Sequence, residues 1–262
     1  MVSLNSAGII GPCAVFIPAR LASTRLPHKP MALIHGVPMI VHVWQRAVAA
    51  DIGPVIVAAA DREIAEAVTA AGGICVLTDP ALPSGSDRVY AALQAVDPEG
   101  KIATIVNVQG DLPTIDPTLI KHVLDPLADA AVDIATLVCP ISEPDERTRP
   151  SVVKAAVAWQ SGEQIGRALY FSRAPIPWGE GELLHHIGLY AYRRSALARF
   201  VGLPSGRLEQ RESLEQLRAL EAGMRIDVAR VTTIPLGVDT PDDLERARAM
   251  LADQNTGNAK ND

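Results

Sequence analysis

Residues 102–113 read IATIVNVQGDLP, and the fold hangs on them. Five of the first eight are apolar and they do not alternate with the polar ones, so a strand here is covered on both faces, as in the centre of a parallel sheet flanked by helices. The strand ends at Gly110-Asp111, where a carboxylate leaves the sheet beside a glycine. A strand buried on both sides needs neighbours, and the preceding chain supplies them. Short β-rich runs at 13–18, 55–60 and 74–78 alternate with amphipathic runs at 38–50, 62–71 and 87–96, and a further helix is expected at 117–129. Asp61 stands where a cap of the 62–71 helix belongs and Gly72 where that helix should stop.

From residue 132 onward the period changes. Strand-like runs at 132–140, 152–159, 168–171 and 186–192 follow with few helical periods between them. A helix at 208–222, a strand at 225–234 and a helix at 241–252 then close the pattern. The expected fold is α/β: a mostly parallel core from 1–135 and 225–252, an inserted β-rich substrate lobe at 136–224, and a disordered tail at 253–262.

A formal charge of -6 disfavours a polyanion-binding surface, so nucleic acid is not an expected partner. Cys13, Cys75 and Cys139 each sit in an apolar run without metal-ligand spacing, which suits a reducing compartment. No apolar stretch approaches the ~20 residues of a membrane span, and the segment before Cys13 lacks a positively charged flank. A cytoplasmic location without membrane contact is expected.

In an open α/β sheet ligands bind beyond the carboxyl ends of the strands, so the turns after the first and fourth strands come first. After the first lies PARLASTRLPHKP, residues 18–30, in which Arg20, Arg25 and Lys29 are set among small residues and prolines. Guanidinium forks, a compact ammonium and approachable backbone amides make this a candidate phosphate loop, although a solvated basic turn would look similar. It has neither a Walker pattern nor Gly-x-Gly-x-x-Gly. After the fourth strand comes Asp111, and near the other end GVDTP, residues 237–241, offers Asp239. Two aspartates from distant segments suit magnesium, which pairs one or two carboxylates with substrate phosphates. Asp239 reads equally as the cap of the helix that follows.

The ordered segments PARLASTRLPHKPM, SGSDR, NVQGDLP, LYFSRAPIPW, HIGLYAY, LEQLR and GVDTPDDL resemble the motif set of the 3-deoxy-manno-octulosonate (KDO) cytidylyltransferase family across nearly the whole chain. The resemblance implies a Rossmann-like nucleotidyltransferase sheet and transfer of CMP from CTP to KDO for lipopolysaccharide synthesis. It also implies magnesium on Asp111 and Asp239, and a homodimer formed through the β-rich lobe. It places Arg20, Arg25 and Lys29 on the triphosphate, with Ser84 and Gly85 near the base. Arg88, Gln109, His186, Glu212 and Gln216 fall around the acid sugar, with Arg20, Lys29, Asp111 and Asp239 as the catalytic set. On the residues alone, His186 reads as a core histidine and Glu212 with Gln216 as a polar pair on one helix face. A cytidylyltransferase for another acid sugar, or a non-catalytic nucleotide-binding protein, remains open. His28 stands where the family usually has glycine, Leu112 where glutamate is common, and Arg149-Pro150-Ser151 where Asn-Pro-Asn is familiar; Lys154 is retained.

Overall fold

The computed structural model describes residues 12–23, 25–159 and 162–258. The expectation about an export signal before Cys13 falls almost wholly on residues 1–11, outside them.

The chain begins with β1 (Cys13–Ala19), whose inner residues alternate between two cores. Val15 and Ile17 join one, Ala14 and Phe16 the other, so both faces are covered as the apolar runs predict. After the loop at 20–28 and a single 3-10 turn come the small hairpin β2 (Leu33–Ile34) and β3 (Val37–Pro38) and helix α1 (Met39–Ala49). Strand β4 (Val55–Ala59), helix α2 (Arg62–Ala70), strand β5 (Ile74–Leu77), helix α3 (Gly85–Val96) and strand β6 (Thr104–Asn107) follow in the expected alternation. Helix α4 (Pro117–His122) is shorter than the predicted 117–129. Pro126 has no amide to donate and its ring would clash with the carbonyl four residues back, so 125–128 forms a separate 3-10 turn.

The second half contains β7 (Ile134–Pro140), β8 (Lys154–Ala158), β9 (Ile165–Ser172), β10 (Leu184–Arg193), α5 (Arg194–Val201), α6 (Arg207–Glu212), α7 (Leu217–Glu221), β11 (Ile226–Arg230) and α8 (Pro241–Asn258). The predicted helix at 208–222 is broken at Ser213, which adopts φ 53° and ends α6. Helix α8 continues into the stretch expected to be disordered, while 259–262 lie outside the described residues.

All the long strands belong to one nine-stranded sheet in the order β5-β4-β1-β6-β10-β7-β11-β9-β8. It is mixed, not mostly parallel. The neighbours β5-β4-β1-β6 are parallel and so are β7 and β11, but β10 runs antiparallel to β6 and β7, and β9 to β11 and β8. Nor do the strands of 136–224 form a sheet of their own. They extend the core sheet, and β8 returns to β10 at Lys154 opposite His185, so the far end of the sheet curls onto itself. Among the described residues no helix is long and apolar enough to cross a membrane.

Candidate active site

The carboxyl ends of β1 and β6 lie side by side, and the turns leaving them enclose a cavity of about 410 Å³. Their closeness explains Gly110: a Cβ there would stand 2.9 Å from the Pro18 carbonyl oxygen, so any side chain would push the two strand ends apart. The amide of Val238 donates to the Asp111 carbonyl at 2.9 Å, which carries the segment before α8 to the end of β6. The two carboxylates singled out in the sequence are thereby brought together.

They meet at an ammonium. Lys29 Nζ donates to Asp111 Oδ2 at 2.7 Å and to Asp239 Oδ1 at 3.0 Å, although those residues are 82 and 210 positions away in sequence. Burial alone would lower the Lys29 pKa, but the two carboxylates outweigh it and hold the charge above its usual range. Arg25 pairs with the other oxygen of Asp239 at 3.0 Å. Lys29 is aimed by the turn it begins, which follows His28 at φ 54°. That left-handed conformation meets no Cβ clash in glycine, so the histidine carries local strain there.

The opposite wall is made by α3. Ser84 caps this helix, its hydroxyl accepting from the Asp87 amide at 3.2 Å, and with Gly85 it presents the helix N-terminus to the cavity. Arg88, one turn on, is buried; its guanidinium donates to the Thr78 hydroxyl at 2.6 Å and the Asp79 carbonyl at 3.1 Å. Burial lowers its pKa, and nearby Arg20 adds to that effect while Asp61 and Asp79 oppose it. Arg20 and Gln109 complete the lining.

Three predicted residues stand apart from this cavity. His186 is buried in β10 between the rings of Phe171 and Tyr190, and its Nε2 bonds the Thr136 hydroxyl at 3.0 Å. Burial lowers its pKa to about 3, so it is neutral. Glu212 has both oxygens engaged, one by the Ser172 hydroxyl at 2.8 Å and one by the Arg173 amide at 3.0 Å, while its own carbonyl accepts from Arg173 Nε at 2.7 Å. It clasps the end of α6 to the end of β9. Gln216 is only 6% exposed and its Nε2 has no partner.

The residue sequence reasoning passed over is Glu215, which lay inside the LEQLR motif. One of its oxygens accepts from the Ser86 hydroxyl at 3.1 Å and the other is buried with no hydrogen bond of normal geometry; burial raises its pKa, opposed by the nearby Ser84 and Ser86 hydroxyls. It lines a second cavity of about 650 Å³ that shares Ser84 with the first. Of the departures from the family pattern, Leu112 is buried and packs beneath Gly237. Lys154 donates to the main-chain carbonyl of Arg149 at 2.7 Å, a contact indifferent to the side chain at that position.

Among the described residues no group of three or more His, Cys, Asp or Glu is placed to hold a metal by itself. Two carboxylates converging on one cation do fit magnesium, which draws its other ligands from water and phosphate.

A profile described as cytidylyltransferase matches residues 14–226. The 3-deoxy-manno-octulosonate cytidylyltransferase of Rhodospirillum centenum is 65% identical over 243 residues, covering 93% of this chain and 94% of the relative. That of Paramagnetospirillum magneticum is 62% identical over 237 residues, covering 90% and 96%. A solved structure of CMP:2-keto-3-deoxy-manno-octonic acid synthetase complexed with CTP superposes with a TM-score of 0.84 at 40% identity, over 92% of this chain and 99% of that one.

Proposed function

We propose that this chain, which belongs to the 3-deoxy-manno-octulosonate cytidylyltransferase family, transfers CMP from CTP to KDO and releases diphosphate. The observation that carries the reading is the convergence of Arg20, Arg25 and Lys29 with Asp111 and Asp239 on one cavity at the carboxyl edge of the sheet.

The reaction is displacement at the α-phosphorus by the anomeric 2-hydroxyl of KDO, with diphosphate leaving. Arg20, Arg25 and Lys29 bind the phosphate oxygens and stabilise the charge that grows on the leaving group. The N-terminus of α3, with Ser84 and Gly85, fixes the nucleotide against the same wall. Asp111 and Asp239 would hold magnesium, whose chemistry is to neutralise phosphate charge and to ease deprotonation of the hydroxyl. Arg88 and Gln109 lie on the acid-sugar side of the reading, where a guanidinium suits the KDO carboxylate. Glu215 lines the adjoining cavity and supplies a further acceptor for a polyhydroxy ligand there, with Gln216 buried behind it. Alignment of the two substrates provides the remaining catalysis, with no covalent enzyme intermediate.

In this reading the enzyme serves lipopolysaccharide synthesis as a cytoplasmic homodimer, with 136–224 contributing the sugar and dimer surfaces. The test is diphosphate release from CTP, KDO and magnesium. Stoichiometric release that requires all three is expected; no release, or release with another acid sugar in preference to KDO, refutes the assignment.

A further inference from the structure

Asp61 occupies the position of an N-cap, yet its side chain makes no bond to the first turn of α2. Its Oδ2 reaches across the sheet edge and accepts from the backbone amide of Leu21 at 2.8 Å, 40 positions earlier. That amide belongs to the peptide joining Arg20 to Leu21, at the start of the basic loop. The next contact back along the edge is the Ala60 amide on the Ala19 carbonyl at 2.9 Å. The end of β4 therefore grips the chain leaving β1 on both sides of Arg20, and the second grip is a side chain that has given up its ordinary capping bond.

We infer that Asp61 is a positioning residue for phosphate binding: by holding the Arg20–Leu21 peptide it fixes the direction in which Arg20 enters the cavity. A carboxylate is suited to this, because an ionised acceptor makes a shorter and stronger bond to an amide than a neutral one. It also places a negative charge near Arg88, whose guanidinium and that of Arg20 share the wall of one cavity and repel each other when no anion lies between them. The inference rests on the reading that this loop binds the triphosphate.

The experiment compares wild type with Asp61→Ala and Asp61→Asn. It measures melting temperature, calorimetric binding of inorganic diphosphate to the free protein, and initial rates at varied CTP with KDO saturating. Asp61→Ala should weaken diphosphate binding and raise the KM for CTP by about tenfold, the scale of a charge-assisted hydrogen bond, with kcat and the KM for KDO changed less than about twofold. Asparagine keeps an acceptor at the same reach but not the charge, so Asp61→Asn should recover about half of the loss and stay within about threefold of wild type. An unchanged KM for CTP in Asp61→Ala, a loss that falls on KDO instead, or an Asp61→Asn as impaired as the alanine variant would overturn the assignment. If Asp61→Ala does not fold, the asparagine variant decides: diphosphate binding weakened as much as tenfold overturns the role of the acceptor, and binding within about threefold of wild type supports it. Should wild type release no diphosphate from CTP, the proposed reaction fails, while calorimetry still reports on Asp61.

Discussion

Replacing Asp239 by asparagine separates its two possible roles. Were it the cap of α8, asparagine would serve nearly as well, and stability and turnover would both survive. The cap, however, is Thr240, whose hydroxyl accepts from the Asp243 amide at 3.2 Å, while the Asp243 carboxylate takes the amides of Thr240 at 3.0 Å and Asp239 at 3.1 Å. This reciprocal box leaves the Asp239 carboxylate free for Lys29 and Arg25. The side chain of Asp239 is 42% exposed and that of Arg25 65%, and Lys29, though only 16% exposed, keeps Asp111 as a partner, so the lost ion pairing is worth about 1 kcal/mol. For a chain of this size that is a fall of roughly 2–4 °C in Tm. Turnover should fall far more. A direct ligand should matter at least as much as outer-sphere partners of a metal, whose loss costs roughly 10- to 100-fold. Diphosphate release at limiting magnesium should therefore drop about 100-fold, with partial recovery at high magnesium. A folded Asp239→Asn with wild-type release at limiting magnesium would remove this residue from the metal site and refute the reasoning.

Lys29 neutralises Asp111 and Asp239 in the free protein, so Lys29→Met should leave two repelling carboxylates: its Tm should fall in chelator and rise with added magnesium more than the wild type's, while turnover is lost; equal metal responses refute this. Glu212→Ala should lower Tm by unclasping α6 from β9, whereas Glu215→Gln should raise the KM for KDO with CTP binding unchanged in calorimetry. The reverse pattern would exchange their roles. Asp243 is held near a pKa of about 2: burial would raise it, but Arg246, the Thr240 hydroxyl and two backbone amides outweigh that effect. A depressed folded-state pKa stabilises above the ordinary 3.8 and loses that contribution as pH falls towards 2, so Asp243→Asn should cost roughly 2 kcal/mol at neutral pH and little near pH 2. A pH-independent difference in denaturant unfolding would contradict this.

The alternation of strands and helices in the first half was legible because each strand there is covered on both faces and each helix carries one apolar stripe. Strand direction was not. The apolar runs of β7 and β10 look alike whether they run with or against β6, and the antiparallel insertion of β10 follows from where the chain returns after 174–183. The break at Pro126 carried its own signal, a proline inside a helical period, whereas Ser213 in a left-handed conformation gave no such warning. The grouping of the basic loop with the end of β6 was readable for a positional reason: residues at the ends of neighbouring central strands are near each other whatever the loops do. The meeting of Asp111 with Asp239 needed more, since it depends on one backbone bond from Val238 that no residue type announces.

The sugar side shows why spacing is information only inside an unbroken element. Glu212 and Gln216 are four apart, which puts two side chains on one face of a continuous helix. Ser213 ends α6 immediately after Glu212, so that residue turns back to β9 and spends both oxygens on Ser172 and Arg173. The next acidic residue, Glu215, lies beyond the break and faces Ser86 on α3, the helix that walls the first cavity. Both Glu212 oxygens already accept one bond each from the fold, which fixes the carboxylate's direction, whereas Glu215 has one oxygen with no hydrogen bond of normal geometry. His186, whose Nε2 is met by Thr136 and whose ring is packed between aromatics, is held by the fold in the way its place inside a strand led the sequence to suggest.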